Sequence, residues 1–204
     1  MQKVTDDETI RRLLMEGDWF SGLAQEHRDY ILEESTERRF ADGDIICPED
    51  VTPVGLFVVL EGQVRLVRHV GDGRQILYHV AEPGFWFGEL ALLRDNLTAV
   101  TSISRGQSRV LLLPLAKFRS RANEFSDFFQ ACARMALHRH AILLRYLAQA
   151  QWLPPEDYLE VRLADLVDQH QQDRKMDGPV ELTVSQAELA TMIGTSRQTV
   201  NALL

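Results

Sequence analysis

The sequence predicts an α+β fold: an N-terminal double-stranded β-helix (jelly roll), a long central helix and a C-terminal helix-turn-helix. Three observations predict it. Short apolar or alternating runs broken by glycine turns fill the chain as far as about Pro114. The stretch from Lys117 to Trp152 contains neither glycine nor proline. The last twenty residues, SQAELATMIGTSRQTVNALL, carry the caps and the glycine of two short helices joined by a tight turn. With 204 residues, 45% of them hydrophobic, the chain can bury a sizeable core.

Taken in order, helices are expected near Thr9 to Glu16 and near Glu26 to Ser35. Leu56 to Leu60 and Val64 to Val70 read as two strands joined at Glu61-Gly62. In the second of them Val64 and Leu66, with His69, alternate against Arg65 and Arg68, the period of a half-buried strand. Gly71-Asp72-Gly73 is a hairpin signal ahead of a strand from Gln75 to Val80. With the run TAVTSISRGQSRVLLLP, these short antiparallel strands suggest a jelly roll or a small barrel.

From Lys117 to Trp152 one long helix is expected. Phe125, Phe128, Phe129, Cys132, Met135, Ala136, Ile142, Leu143, Tyr146 and Leu147 put apolar groups on more than one of its faces. One face would cover the β domain. The other calls for a second copy of the chain or for cover within it, and dimerisation is the favoured reading. Pro154-Pro155 ends the helix, because proline removes a donor and clashes with the preceding turn. A helix from Asp157 to His170, a polar excursion QQDRKMDGP and a short extended piece from Glu181 to Val184 follow.

Ser185 with Glu188 three residues on has capping-box form, so a helix should begin at Gln186, with Ala187, Leu189, Ala190 and Ile193 on its apolar face. Gly194 suits a left-handed turn. Thr195 with Gln198, or Ser196 itself, then caps a second helix holding Val200, Leu203 and Leu204. That helix opens on Ser196, Arg197, Gln198 and Thr199, compact polar groups suited to phosphates and base edges, although any αα-hairpin could show the same caps.

The formal net charge of -8 argues weakly against a nucleic-acid partner, without excluding a locally positive face. The N-terminus has no secretory h-region, and nowhere do eighteen apolar residues run together, so a soluble cytoplasmic protein is expected, with no membrane partner. Cys47 and Cys132 lie far apart, and the six histidines include no HExxH, so no disulfide, iron-sulfur cluster or other metal site is expected. A small-barrel enzyme would need clustered histidines on its strands. Only His69 and His79 lie there, and the protein is not expected to be an enzyme.

The closing stretch resembles the helix-turn-helix of the Crp/Fnr family of bacterial transcription regulators, in which a Ser/Thr-Gln pair opens the first helix and Ser-Arg-x-Thr-Val opens the recognition helix. FGELALL, Phe87 to Leu93, is similar to the family's phosphate-cradle segment, the helix from about Phe125 to its dimer helix, and Trp152-Leu153-Pro154 to its hinge. The resemblance implies a cyclic-nucleotide-binding-like β-roll sensor over residues 1–116, a dimerisation helix and hinge over 117–153, and a winged helix-turn-helix over 154–204. That last domain looks truncated, since the sequence stops before a final helical turn and the wing. The implied partners are double-stranded DNA, a second copy of the chain through the 117–153 helix, RNA polymerase and a small-molecule effector.

By the same resemblance, Arg197 contacts a guanine edge or a phosphate, and Ser196 and Thr199 contact phosphates. Gln198 stands where many relatives carry a glutamate that accepts from cytosine. Ser185, Gln186 and Asn201 complete the candidate DNA-binding set. In the sensor, Gly88-Glu89 is kept, but Leu97-Thr98-Ala99 stands where cyclic-AMP binders have Arg-Ser-Ala, and burying a phosphate without its cation is costly. Leu143 and Leu144 stand where those relatives use small hydroxyl residues. Cyclic AMP is therefore not the expected ligand; a more apolar effector, or none with Glu89 purely structural, is. The candidate pocket comprises Gly88, Glu89, Leu90, Leu97, Thr98, Arg139 and Leu143. A haem reading would rest on His69, His79 or Cys47, which nothing pairs distinctively. The leading function is a homodimeric, sequence-specific DNA-binding regulator, with a ligand-binding β-roll signalling protein lacking effective DNA binding as the alternative.

Overall fold

A computed structural model describes residues 8–94, 97–174 and 181–204, with 91, 94 and 169–174 described by their backbone alone. Three helices open the chain: α1 (Glu8–Glu16), α2 (Asp18–Ser21) and α3 (Gln25–Glu34). Ile10 and Leu14, one turn apart on α1, are both buried, as are Ile31 and Leu32 of α3. The strands follow as β1 (Thr36–Phe40), β2 (Ile45–Cys47), β3 (Gly55–His69), β4 (Gln75–Ala81), β5 (Trp86–Phe87) and β6 (Thr101–Pro114). A short helix, α4 (Glu89–Arg94), stands between β5 and β6. The sheet is antiparallel in the order β1-β6-β3-β4, with β2 also pairing β6 and β5 also pairing β3.

Strand β3 corrects one expectation. Glu61-Gly62 does not turn the chain; Gly55 to His69 is one strand, and its register against β6 shifts on either side of Glu61. Gly62 is needed there for two reasons: its φ is +75°, and a Cβ would lie 2.2 Å from the Gln107 carbonyl oxygen. His69 is exposed rather than part of the buried set: it ends β3 beside the hairpin, its Nδ1 3.1 Å from Glu49 Oε1, while Val67 packs in a different cluster from Val64 and Leu66. The hairpin at Gly71-Asp72-Gly73 forms as expected, with His69 opposite Gln75.

The long helical stretch is two helices, α5 (Leu115–Glu124) and α6 (Ser126–Trp152), separated at Phe125, whose backbone is extended. No glycine or proline marks this break. Tertiary contacts hold it: the Phe125 ring meets His27 edge-on at 5.2 Å and carries the Arg121 guanidinium 3.9 Å from its centre. His27, 1% exposed, accepts from Arg121 Nε at 2.9 Å and sits 3.0 Å from Asp127 Oδ2, tying α3 to α5 and α6.

Helix α6 stops at Trp152, and Pro155 occupies the first position of α7 (Pro155–Arg174), where its missing N–H costs nothing. Four residues expected in the polar excursion, 171–174, belong to that helix; 175–180 lie outside the described residues. Helices α8 (Gln186–Ile193) and α9 (Arg197–Leu203) close the described chain.

Alternation along β3 puts its residues into two different cores, as a period of two requires. Leu56, Val58 and Leu60 face a cluster with α1, α3, α5 and the start of α6, while Phe57 and Val59 face a cluster with Val64, Leu66, Phe87 and Val110. A third cluster joins strand residues Val67, Leu77 and Val80 to Leu159 and Leu166 of α7, to Leu189, Ala190 and Met192 of α8, and to Val200 of α9. The closing helices thus rest on the β3–β4 hairpin. Val200 is fully buried there and Leu203 partly, leaving Leu204 exposed.

Candidate functional site

Two regions gather the candidate residues. The first is a cavity of about 350 Å³ between the sheet and α6. Phe57 and Phe87, opposite one another on β3 and β5, stack at 5.1 Å in its wall. The chain then turns at Gly88, whose φ is +99°, so that Glu89 opens α4 facing the cavity. Arg139, near the middle of α6, reaches back across it. Its Nη1 is 2.9 Å from Glu89 Oε1, its Nη2 donates to the Trp86 carbonyl at 2.6 Å, and its guanidinium lies 4.3 Å from the centre of the Phe85 ring.

Gly88, Glu89, Leu90, Thr98, Arg139 and Leu143, six of the seven expected pocket residues, line this cavity. Leu97 does not: it is half exposed and outside the lining. The Thr98 hydroxyl is committed to the backbone, donating to the Pro48 carbonyl at 2.7 Å and accepting from the Val51 N–H at 3.1 Å. Reading the sequence alone misses the aromatic walls Phe57, Tyr78, Phe85, Phe87 and Tyr146, together with His79 and Ala136. The run Phe85-Trp86-Phe87 just before Gly88 is the one local signal that could have pointed to them.

His79 stacks on Phe85 at 4.4 Å and is held neutral, its pKa pushed down to about 3 by burial first and by Arg139 and Arg162 second. Cys132 is buried, and desolvation with help from the Glu89 carboxylate pushes its thiol up to about 12, so it stays protonated and unreactive. Cys47 is shifted in the same direction by burial. Among the described residues no group of three or more His, Cys, Asp or Glu side chains could hold a metal ion. Tyr146 is also the base on which Arg162 of α7 lies, 3.6 Å from the ring centre, so one cavity wall touches α7.

The second region is the α8–α9 pair. Both parts of the capping box form: the Glu188 N–H donates to Ser185 Oγ at 3.3 Å and the Ser185 N–H donates to Glu188 Oε2 at 2.9 Å. Gly194 is left-handed at φ 71°, ψ 30°, as its place in the turn demands. Ser196, rather than Thr195, caps α9 and accepts from the Thr199 N–H at 3.1 Å. Arg197, Gln198 and Asn201 are exposed at the start of α9, while Val200 anchors the opposite face. Gln186 Nε2 donates to Asn201 Oδ1 at 3.2 Å, bringing the two helices' candidate residues together. A polar seam holds the pair to the sheet: Arg105 of β6 lies 3.2 Å from Glu188 Oε2 and donates to the Thr183 carbonyl at 2.7 Å, and Thr183 donates to Glu82 at 3.0 Å.

Comparison with known proteins covers both regions. The family model of the cyclic nucleotide-binding domain matches residues 37–124, and that of the Crp-like helix-turn-helix domain matches residues 161–204. A cyclic AMP receptor protein of Thermus thermophilus is 30% identical over 190 residues, 91% of this chain and 82% of that protein. The c-di-GMP responsive global regulator CLP of Xanthomonas campestris superimposes with a TM-score of 0.71 at 20% identity, over 89% of this chain and 90% of its own. FixK2 of Bradyrhizobium japonicum superimposes with a TM-score of 0.70 at 17% identity, over 83% of this chain and 82% of its own.

Proposed function

The chain belongs to the Crp/Fnr family of bacterial transcription regulators, and from that premise we propose that it acts as a homodimer, reads DNA through α9, and answers to an effector other than cyclic AMP. As a transcription regulator with a cyclic-nucleotide-binding-like domain, it is not an enzyme. The observation that carries the DNA-reading proposal is the α8–α9 pair itself, capped at both starts, with Arg197, Gln198 and Asn201 exposed on one edge and Val200 buried beneath. Arg197 takes a guanine edge, Gln198 and Asn201 neighbouring bases, and Ser185, Gln186, Ser196 and Thr199 the phosphates that set register.

The dimer reading rests on α6. Its first turns are buried, at Phe128, Ala131 and Cys132, but Leu137, Leu144 and Leu147 further along are more than half exposed. Leu137 and Leu144 are seven residues apart, the spacing of a helix-to-helix seam. A second α6 would cover this stripe and bring two heads about one helical turn of DNA apart, beside which RNA polymerase could be engaged. We read residues 1–116 as a jelly-roll sensor, 117–153 as dimer helix and hinge, and 154–204 as the DNA-binding domain of a cytoplasmic protein. Among the described residues no helix is long and apolar enough to cross a membrane.

The relative from Thermus thermophilus is named for cyclic AMP. In this chain Glu89 is already paired with Arg139, and the hydroxyl of Thr98 is taken by backbone groups, which supports a different effector. The test of DNA reading is fluorescence anisotropy with promoter DNA upstream of the protein's own operon, at several salt concentrations. Salt-sensitive binding is expected, and Arg197→Ala should weaken it by about 1–3 kcal/mol, roughly 5- to 150-fold. Absence of binding at low salt would favour the signalling protein without DNA binding.

A further inference from the structure

Resting on the reading of the α6 cavity as the effector site, we propose that it takes a neutral, largely apolar small molecule and rejects anions, phosphates and carboxylates alike. The charge of the site is already balanced from within. Glu89, 6% exposed, and Arg139 form a 2.9 Å pair, and the guanidinium is further committed to the Trp86 carbonyl and the Phe85 ring. An anion drawn to Arg139 would have to share the guanidinium with Glu89, setting two negative charges, one of them a buried carboxylate, against a single cation. The aliphatic hydroxyls of the wall are likewise engaged, Thr98 with Pro48 and Val51, and Ser102 with the Cys47 carbonyl at 3.2 Å. His79 is neutral, and His138 and His140 are exposed on α6. Arg162 is not part of the lining; it lies against Tyr146.

What remains for a ligand is aromatic and aliphatic surface from Phe57, Phe87, Val100, Ala136 and Leu143, around a volume within the roughly 300–1,000 Å³ range of pockets that hold small organic molecules. A flat neutral body would stack on the Phe57–Phe87 pair, and its burial supplies the attraction without asking for a counter-ion.

Two probes that share one aromatic frame and differ in charge test this on the full chain. N-phenylnaphthylamine is neutral, and anilinonaphthalene sulfonate adds an anion. Binding is read by energy transfer from the chain's three tryptophans, among them Trp86, whose carbonyl caps Arg139. The neutral probe should bind at one site per chain and at least about tenfold more tightly than the sulfonate, with cyclic AMP failing to compete. Ala136→Phe, which places a ring in the cavity, should abolish that transfer. Glu89→Gln frees Arg139 and should improve sulfonate binding about tenfold or more, with the neutral probe little changed. If wild-type protein binds the sulfonate or cyclic AMP as tightly as the neutral probe, or if Glu89→Gln leaves sulfonate binding unchanged, the ligand class is wrong while the effector site stands. If the neutral probe gives no transfer that Ala136→Phe removes, the effector-site reading fails with it.

Discussion

Replacing Leu77 by alanine should loosen the DNA-reading head from the sheet beneath it. Leu77 on β4 is 3% exposed and belongs to the cluster shared with Leu189, Ala190, Met192 and Val200. Truncating a leucine in such a site costs about 2–5 kcal/mol, from lost transfer energy plus the cavity left behind. At roughly 2–4 °C per kcal/mol for a chain of this size, a loss near 3 kcal/mol lowers the melting temperature by about 6–12 °C. Leu32→Ala is the matched control: Leu32 is 1% exposed but sits in the cluster under α1, α3, α5 and α6, away from the head. Both variants should lose comparable stability by thermal melting followed by circular dichroism. Only Leu77→Ala should also speed hydrogen exchange of the amides in α8 and α9 relative to those of β3 and β6. Equal exchange of α8 and α9 in the two variants would refute the idea that the head is held by the hairpin.

Two further outcomes concern acid. His79 titrates near 6.5 in the unfolded chain and near 3 when folded, so between those values the unfolded state binds the extra proton and stability falls as pH is lowered, approaching about 1.4 kcal/mol per pH unit. His79→Leu should flatten that dependence in urea unfolding compared at about pH 7 and about pH 5; parallel losses in the two proteins would show that the imidazole is not buried neutral. Asp127 is likewise shifted down, below its ordinary 3.8, chiefly by the hydrogen bond to His27. Its contribution is present above that value and disappears as pH falls through the lowered one. Asp127→Asn should therefore melt below wild type at neutral pH and converge with it in acid, and a gap that persists in acid would contradict the assignment.

The local parts of this molecule were legible because local chemistry decides them. Ser185, Glu188 and Gly194 announce the helix-turn-helix through bonds made within a few residues, and both halves of the capping box form. Gly71-Asp72-Gly73 likewise fixes its hairpin by backbone conformation alone. Gly62 misled for the same reason: a glycine with positive φ looks alike in a turn and in a bulge, and only the close approach of Gln107 tells them apart. The break at Phe125 is held by His27 and Arg121, nearly a hundred residues away in one case, so nothing near it in sequence gives warning. In the cavity, Gly88 and Glu89 could be named from a motif. The partner that neutralises Glu89, fifty residues further on, could be listed for the pocket but not given that job until the fold brought α6 across β5.

The shared cluster under the head also sets an energetic threshold. Lifting α8 and α9 away from the hairpin would return Val67, Leu77 and Val80 to water, at roughly 1.5–3 kcal/mol each, on the order of 5 kcal/mol in all. A gap of that size keeps the lifted form to a trace of the population. A ligand, a partner or an operator that required it would have to prefer it roughly ten-thousand-fold over the docked form to make it dominant, and its apparent affinity would be weakened by the scarcity of the form it selects.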